Sequence, residues 1–138
     1  MSVSYKEIKC VVWDLDNTLW EGILLEDQEV KLNPGIETVL SALDDRGILH
    51  SIASKNEYDD AMEKLREFEL DQFFLYPEIH WNPKSSSIGK IQKNLNIGMD
   101  TILFIDDQPF ERDEVQSAHA QVSCVDAAMY HDLLDDPR

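Results

Sequence analysis

The sequence predicts an α/β fold: a mostly parallel sheet covered on both faces by helices. Two observations carry this. Apolar runs at 8–13, 48–53 and 101–105 end in Asp14, Ser54 and Asp106, as strands do where their carboxyl ends open into solvent. Between them lie stretches with apolar residues at helical spacing, so strand and helix alternate.

The elements follow in order. Ile8–Trp13 is the first strand. Asn33 is expected to cap the next helix with Pro34 at its first position, and Ile36, Val39, Leu40 and Leu43 form its apolar stripe until Gly47 ends it. The second strand, 48–53, follows at once. Asn56 is expected to cap a helix carrying Ala61, Met62, Leu65 and Phe68 on one face. Phe73–Tyr76 reads as a short edge strand stopped by Pro77. Ser85–Leu95 is a helix with Ile88, Ile91 and Leu95 inward, and Pro109 opens another through about Ala118. Gln121–Val125 is the last strand, and the tail from about residue 127 is expected to be loosely ordered.

A length of 138 residues suggests a single domain spanning 1–138, large enough for a real core. No apolar run approaches the roughly 20 residues of a membrane-spanning helix, and the first nine residues are too charged for a secretory signal, so a cytoplasmic location is expected. A net charge of −16 argues against a nucleic acid partner. Cys10 and Cys124, far apart in predicted buried strands, read as core thiols. His50, His80, His119 and His131 show no metal-binding spacing.

The chemistry sits at the strand ends. Asp14-Leu15-Asp16-Asn17-Thr18 places two carboxylates after the first strand, Ser54 follows the second, Asn82-Pro83-Lys84 precedes a helix, and Asp106-Asp107 ends the third strand. These four features, in this order, resemble motifs I to IV of the haloacid dehalogenase (HAD) superfamily. The resemblance implies a Rossmann-like core and a phosphatase acting through an aspartyl-phosphate. Asp14 would be the nucleophile, and Asp16 the general acid and then base. Lys84 would balance phosphate and nucleophile, and Ser54 would bind phosphate oxygens. Mg²⁺ would be held by Asp14, the carbonyl of Asp16 and Asp107, with Asp106 behind them. The short stretches between the motifs leave no room for a separate cap domain, and an open site suits a large or partner-bound substrate. Trp20 and Ile23 form either a small flap or packing against the sheet rim.

Four longer stretches, Asp14–Trp20, Ser54–Glu57, Trp81–Ser85 and Phe104–Arg112, resemble the HAD domain of FkbH-like proteins and, more distantly, magnesium-dependent phosphatases. This implies a small phosphorylated substrate or acyl phosphate, and adds Lys55 and Asn56 to the substrate-binding candidates. Lys55, Asn56, Glu111 and Arg112 belong to that subgroup's pattern. It also offers a second function, loading a glyceryl unit from 1,3-bisphosphoglycerate onto an acyl carrier protein in polyketide biosynthesis. One departure and one distance weigh against transfer. Ala53 stands where many relatives carry cysteine, and Cys10, four residues before Asp14, should lie about 13 Å down the strand at ~3.3 Å per residue. A third reading, a receiver-like phosphate-accepting module, has no use for a general acid at Asp16.

Overall fold

The computed structural model describes residues 8–27 and 29–135. Its centre is β1 (Cys10–Trp13), which pairs in parallel with β4 (Leu49–Ser54) on one side and β6 (Ile102–Asp106) on the other. β5 (Glu78–Ile79) extends the sheet beyond β4, and β7 (Ser123–Asp126) extends it beyond β6, both in parallel, giving the order β5-β4-β1-β6-β7. β2 (Trp20–Glu21) and β3 (Lys31–Leu32) form a separate antiparallel flap between β1 and the first helix. No cap domain is present among the described residues.

The strand side chains alternate between two cores, as the pleat requires. Val11, Trp13, Ile52, Leu103 and Ile105 face one layer, against α1 (Ile36–Asp45) and α2 (Tyr58–Glu67). Cys10, Val12, Ala53, Ile102 and Phe104 face the other, against Ile88 and Ile91 of α3 (Lys84–Leu95) and Val115 of α4 (Pro109–Ala118). Among the described residues no helix is long and apolar enough to cross a membrane.

The helix starts differ from expectation. α1 begins after Gly35, whose φ of 78° turns the chain into the helix, rather than at Asn33 and Pro34. The Asn33 side chain is engaged elsewhere, its Nδ2 donating to the Thr18 carbonyl at 2.5 Å. A β-carbon at position 35 would stand 3.2 Å from His131, so a glycine suits the site on two counts. Glu57, not Asn56, occupies the cap position of α2. The edge strand forms at Glu78–Ile79, after Pro77 rather than before it. Asp71–Phe73 instead make a 3₁₀ turn, with a lone bridge from Phe74 to His50.

The segment expected to be loose is wound instead. Residues 127–135 form 3₁₀ turns against α1, burying Ala127, Tyr130 and Leu133, and the Tyr130 hydroxyl donates to the Pro34 carbonyl. These buried residues recur at every third position, which suits three residues per turn. The last three residues, 136–138, lie outside the described part. Cys10 is fully buried as expected, whereas Cys124 is only half-buried on the edge strand.

His50 is buried on β4 with both ring nitrogens engaged. Nδ1 accepts the Trp13 indole N–H at 2.9 Å, and Nε2 lies 3.3 Å from the Leu40 carbonyl, to which it donates as the neutral ring. Burial lowers its pKa from 6.5 to about 4, against smaller opposing contributions from the Leu40 carbonyl and Asp44. A lowered pKa means that the unfolded chain binds the proton first. This contribution to stability is therefore present above pH 6.5 and lost as pH falls toward 4, to an extent of about 3 kcal/mol. His50→Gln can keep both hydrogen bonds but cannot titrate. The stability gap between wild type and His50→Gln should narrow by most of that amount between pH 7.5 and 4.5 in urea unfolding, and a constant gap would refute the assignment.

Candidate active site

The sheet order sets the position of the site. From β1 the chain moves outward through β4 to β5, then returns to the other side of β1 for β6 and β7. Connections therefore leave the central strand in opposite directions, opening a crevice beyond its carboxyl end. Asp14 continues β1 into that crevice, its backbone N–H donating to the Ile105 carbonyl at 3.0 Å. Ser54 ends the neighbouring strand on one side, and Asp106 and Asp107 end the one on the other.

Lys84, at the first position of α3 and 4% exposed, crosses beneath these strand ends. Its Nζ lies 2.9 Å from Asp14 Oδ1, 2.5 Å from Asp106 Oδ2 and 3.3 Å from Glu111 Oε2. Burial by itself pulls the pKa of this amine down, but Asp14 and Asp106 together outweigh it, and the pKa is raised. Lys84 is thus a fixed positive charge. Asp106 is fully buried, with its other oxygen accepting the Gln108 backbone N–H at 3.0 Å. Glu111, in the first turn of α4, links two lysines: its Oε1 is 3.3 Å from Lys55 Nζ, which also lies over the Phe110 ring at 5.8 Å.

Asp14, Asp106 and Asp107 bring carboxylate oxygens within 4.8 Å of one another. The pKa of Asp14 is raised well above the usual value by burial and then by Asp106, despite the opposing pull of Lys84. That of Asp107 is also raised, first by burial. Four carboxylates, on Asp14, Asp106, Asp107 and Glu111, face two ammonium groups, on Lys84 and Lys55. The surplus of two negative charges and the hard oxygen donors fit a divalent cation such as Mg²⁺. Asp107 is the more accessible member of the acidic pair and lines the open pocket with Asp14, Asp16 and Lys84.

Asp16 stands apart from the acidic trio. Its Oδ1 accepts the Trp20 indole N–H and the Leu24 backbone N–H, each at 3.0 Å, and its Oδ2 accepts from Asn56 Nδ2 at 3.1 Å. The sharp turn that allows this depends on Asn17, whose φ of 55° is in the left-handed region and whose Oδ1 accepts the Gly22 N–H at 2.9 Å. Trp20 is fully buried and Ile23 lines the pocket, so flap and rim packing are both realised.

The structure thus gathers Asp14, Asp16, Lys55, Lys84 and Asp107 on one pocket wall. Ser54 and Asn56 are buried, at 3% and 1% exposure, Ser54 at the end of the strand beside Asp14. Asn56, a substrate-binding candidate, donates its amide N–H to Asp16. Glu111 belongs to the FkbH-like pattern, but the sequence assigns it no role; its bridge between Lys55 and Lys84 emerges only from the structure.

A family model described as haloacid dehalogenase-like hydrolase matches residues 17–127, starting just after Asp16. Human magnesium-dependent phosphatase 1 is 27% identical over 136 residues, covering 85% of this chain and 76% of its own. Among solved structures, the N-terminal part of the protein BF1531 from Bacteroides fragilis, which contains a phosphatase domain and is complexed with Mg, matches with a TM-score of 0.81 at 30% identity. That match covers 94% of this chain but only 40% of the other. A HAD-superfamily hydrolase of subfamily IA, GSU2069 from Geobacter sulfurreducens, matches with a TM-score of 0.75 at 15% identity, over 93% of this chain and 98% of its own, a likeness of fold alone. With the family model spanning most of the sequence and the parallel sheet carrying its acidic residues at the switch point, the chain belongs to the haloacid dehalogenase-like hydrolases.

Proposed function

We propose that this chain is a Mg²⁺-dependent phosphatase that transfers phosphate from a small phosphorylated metabolite or acyl phosphate onto Asp14 and then to water. The observation that carries the proposal is the buried Lys84 ammonium, held between Asp14 and Asp106 beside a surplus of carboxylates at an open pocket. The likeness to a magnesium-dependent phosphatase and to a Mg-complexed phosphatase domain supports it.

Asp14 and Asp107, with the Asp16 carbonyl, would hold the cation, and Asp106 would stay behind them as the partner of Lys84. Bound there, Mg²⁺ supplies positive charge to the phosphate oxygens. The Asp14 carboxylate attacks phosphorus while the bond to the leaving oxygen breaks, and Asp16 provides the proton that oxygen needs. Water then attacks phosphorus, the bond to Asp14 breaks, and the water proton returns to Asp16. Lys84 keeps Asp14 aligned and offsets the charge carried in on the phosphate. Thr18, whose hydroxyl lies 3.3 Å from Asp14 Oδ2, steadies the other carboxylate oxygen. Ser54 and Lys55 are the proposed phosphate and substrate contacts.

Phosphate release to water is favoured over glyceryl transfer to an acyl carrier protein. Transfer needs a reactive thiol beside the nucleophile. Cys10 is fully buried at the far end of β1 with its pKa pushed up to about 12 by burial, and Cys124, at about 11 chiefly from burial, sits on the edge strand. Neither lines the pocket.

Asp14→Asn, which keeps the shape and removes the nucleophile, should lower hydrolysis of p-nitrophenyl phosphate by at least about a thousandfold with the fold intact. Retention of a tenth of wild-type rate would overturn the proposal. Chelation should stop turnover and Mg²⁺ restore it. Asp107→Asn should raise the Mg²⁺ concentration for half-maximal activity by about tenfold or more, because a direct ligand is lost. The same change should leave metal-free stability unchanged or higher, since it relieves crowding among carboxylates. Asp106→Asn should lower stability instead, because Lys84 loses a buried partner. A Mg²⁺ titration and melting curves ranking the two the other way would exchange their roles.

A further inference from the structure

We propose that Asn56 is the positioning residue of Asp16, and that its amide selects Asp16 Oδ2 as the oxygen that exchanges the proton. The inference rests on the reading of Asp16 as acid and base given above. A carboxylate offers about four lone-pair directions, two on each oxygen. On Oδ1 both are taken, by Trp20 Nε1 and Leu24 N, each at 3.0 Å. On Oδ2 one is taken, by Asn56 Nδ2 at 3.1 Å. The direction left over among the described residues belongs to Oδ2, and Asp16 shares the pocket with Asp14.

Asn56 is built for this contact. It is 1% exposed, and its Oδ1 accepts the Glu57 backbone N–H at 3.2 Å where the chain enters α2. The side chain is therefore anchored at its oxygen and committed to Asp16 at its nitrogen. It is absent from the pocket wall that Lys55, its neighbour, reaches. Its route to the reaction is the carboxylate it holds. The three donors come from two elements, the flap and the β4–α2 loop, so Asp16 is clamped from both sides. Loss of the Asn56 donor leaves the flap contacts on Oδ1 and frees the carboxylate to rotate away from the phosphate. A misplacement of about 1 Å in such a group can cost on the order of a hundredfold in rate.

Hydrolysis of the phosphoenzyme should suffer most. There a water oxygen bonds to phosphorus, the Asp14–phosphorus bond breaks, and the water proton passes to Asp16 Oδ2. A p-nitrophenolate leaving group departs without a proton, so with p-nitrophenyl phosphate the first step should be spared relative to the second.

The test uses Asn56→Ala and Asn56→Leu with Mg²⁺ and p-nitrophenyl phosphate. Asn56→Leu nearly keeps the side-chain shape while removing the donor, so it remains informative should the alanine variant not fold. Both variants should show kcat lowered about 10- to 100-fold with KM lowered in step, so that kcat/KM stays within about threefold of wild type, a burst of p-nitrophenolate, and a phosphate adduct by intact mass. A kcat within about twofold of wild type would overturn the inference. So would a rise in KM at unchanged kcat, which marks a direct substrate contact, or a loss of kcat without adduct. Failure of both variants to fold would make Asn56 a structural residue and overturn it as well. A wild type that shows no Mg²⁺-dependent turnover would instead overturn the phosphatase reading itself.

Discussion

The buried ammonium of Lys84 is the interaction on which the site depends. Removing such a group from water costs several kcal/mol, and only close carboxylates offset that cost. Asp14, Asp106 and Glu111 surround it at hydrogen-bonding distance or slightly beyond. Each comes from a different place: the end of β1, the end of β6 and the first turn of α4. The lysine itself opens α3. One positive charge therefore ties together two strands and two helices, and holds the Asp14 carboxylate at the switch point.

The fold supplies that arrangement through β1. Flanked on both sides by parallel partners and covered on both faces by core, this strand is dry along its whole length. A carboxylate on its last turn outward is the first group to meet solvent. Trp13, next to Asp14, reinforces the placement by donating its indole N–H to His50 across to β4. Rigidity comes from packing beneath, and openness from the absence of a cap among the described residues. The flap contributes a single wall, pinned to Asp16 through Trp20 and Leu24.

Overall acidity and phosphate chemistry are compatible because the charges are segregated. The chain carries −16, yet the ammonium groups of Lys55 and Lys84 both belong to residues that line the pocket. A divalent cation bound at Asp14 and Asp107 would cancel that local surplus of negative charge without altering the outer surface.

The sequence by itself determined the alternation of strands and helices, the strand ends that carry Asp14, Ser54 and Asp106, and the identity of Lys84 as a candidate. Those features are written in local patterns: apolar runs of strand length, stripes at helical spacing, and short motifs placed at their ends. Tertiary structure decided what long-range geometry alone can decide. Helix starts moved because Asn33 was drawn to Thr18 and Asn56 to Asp16, and cap preference is weaker than a site that occupies the side chain. The tail acquired structure because α1 offered it an apolar face and a carbonyl at Pro34. Glu111 became a bridge between lysines 56 and 27 residues away in the chain only once α4, α3 and the β4–α2 loop had converged. No periodicity in a sequence records which carboxylate will meet which ammonium, because that pairing is set by how the elements pack.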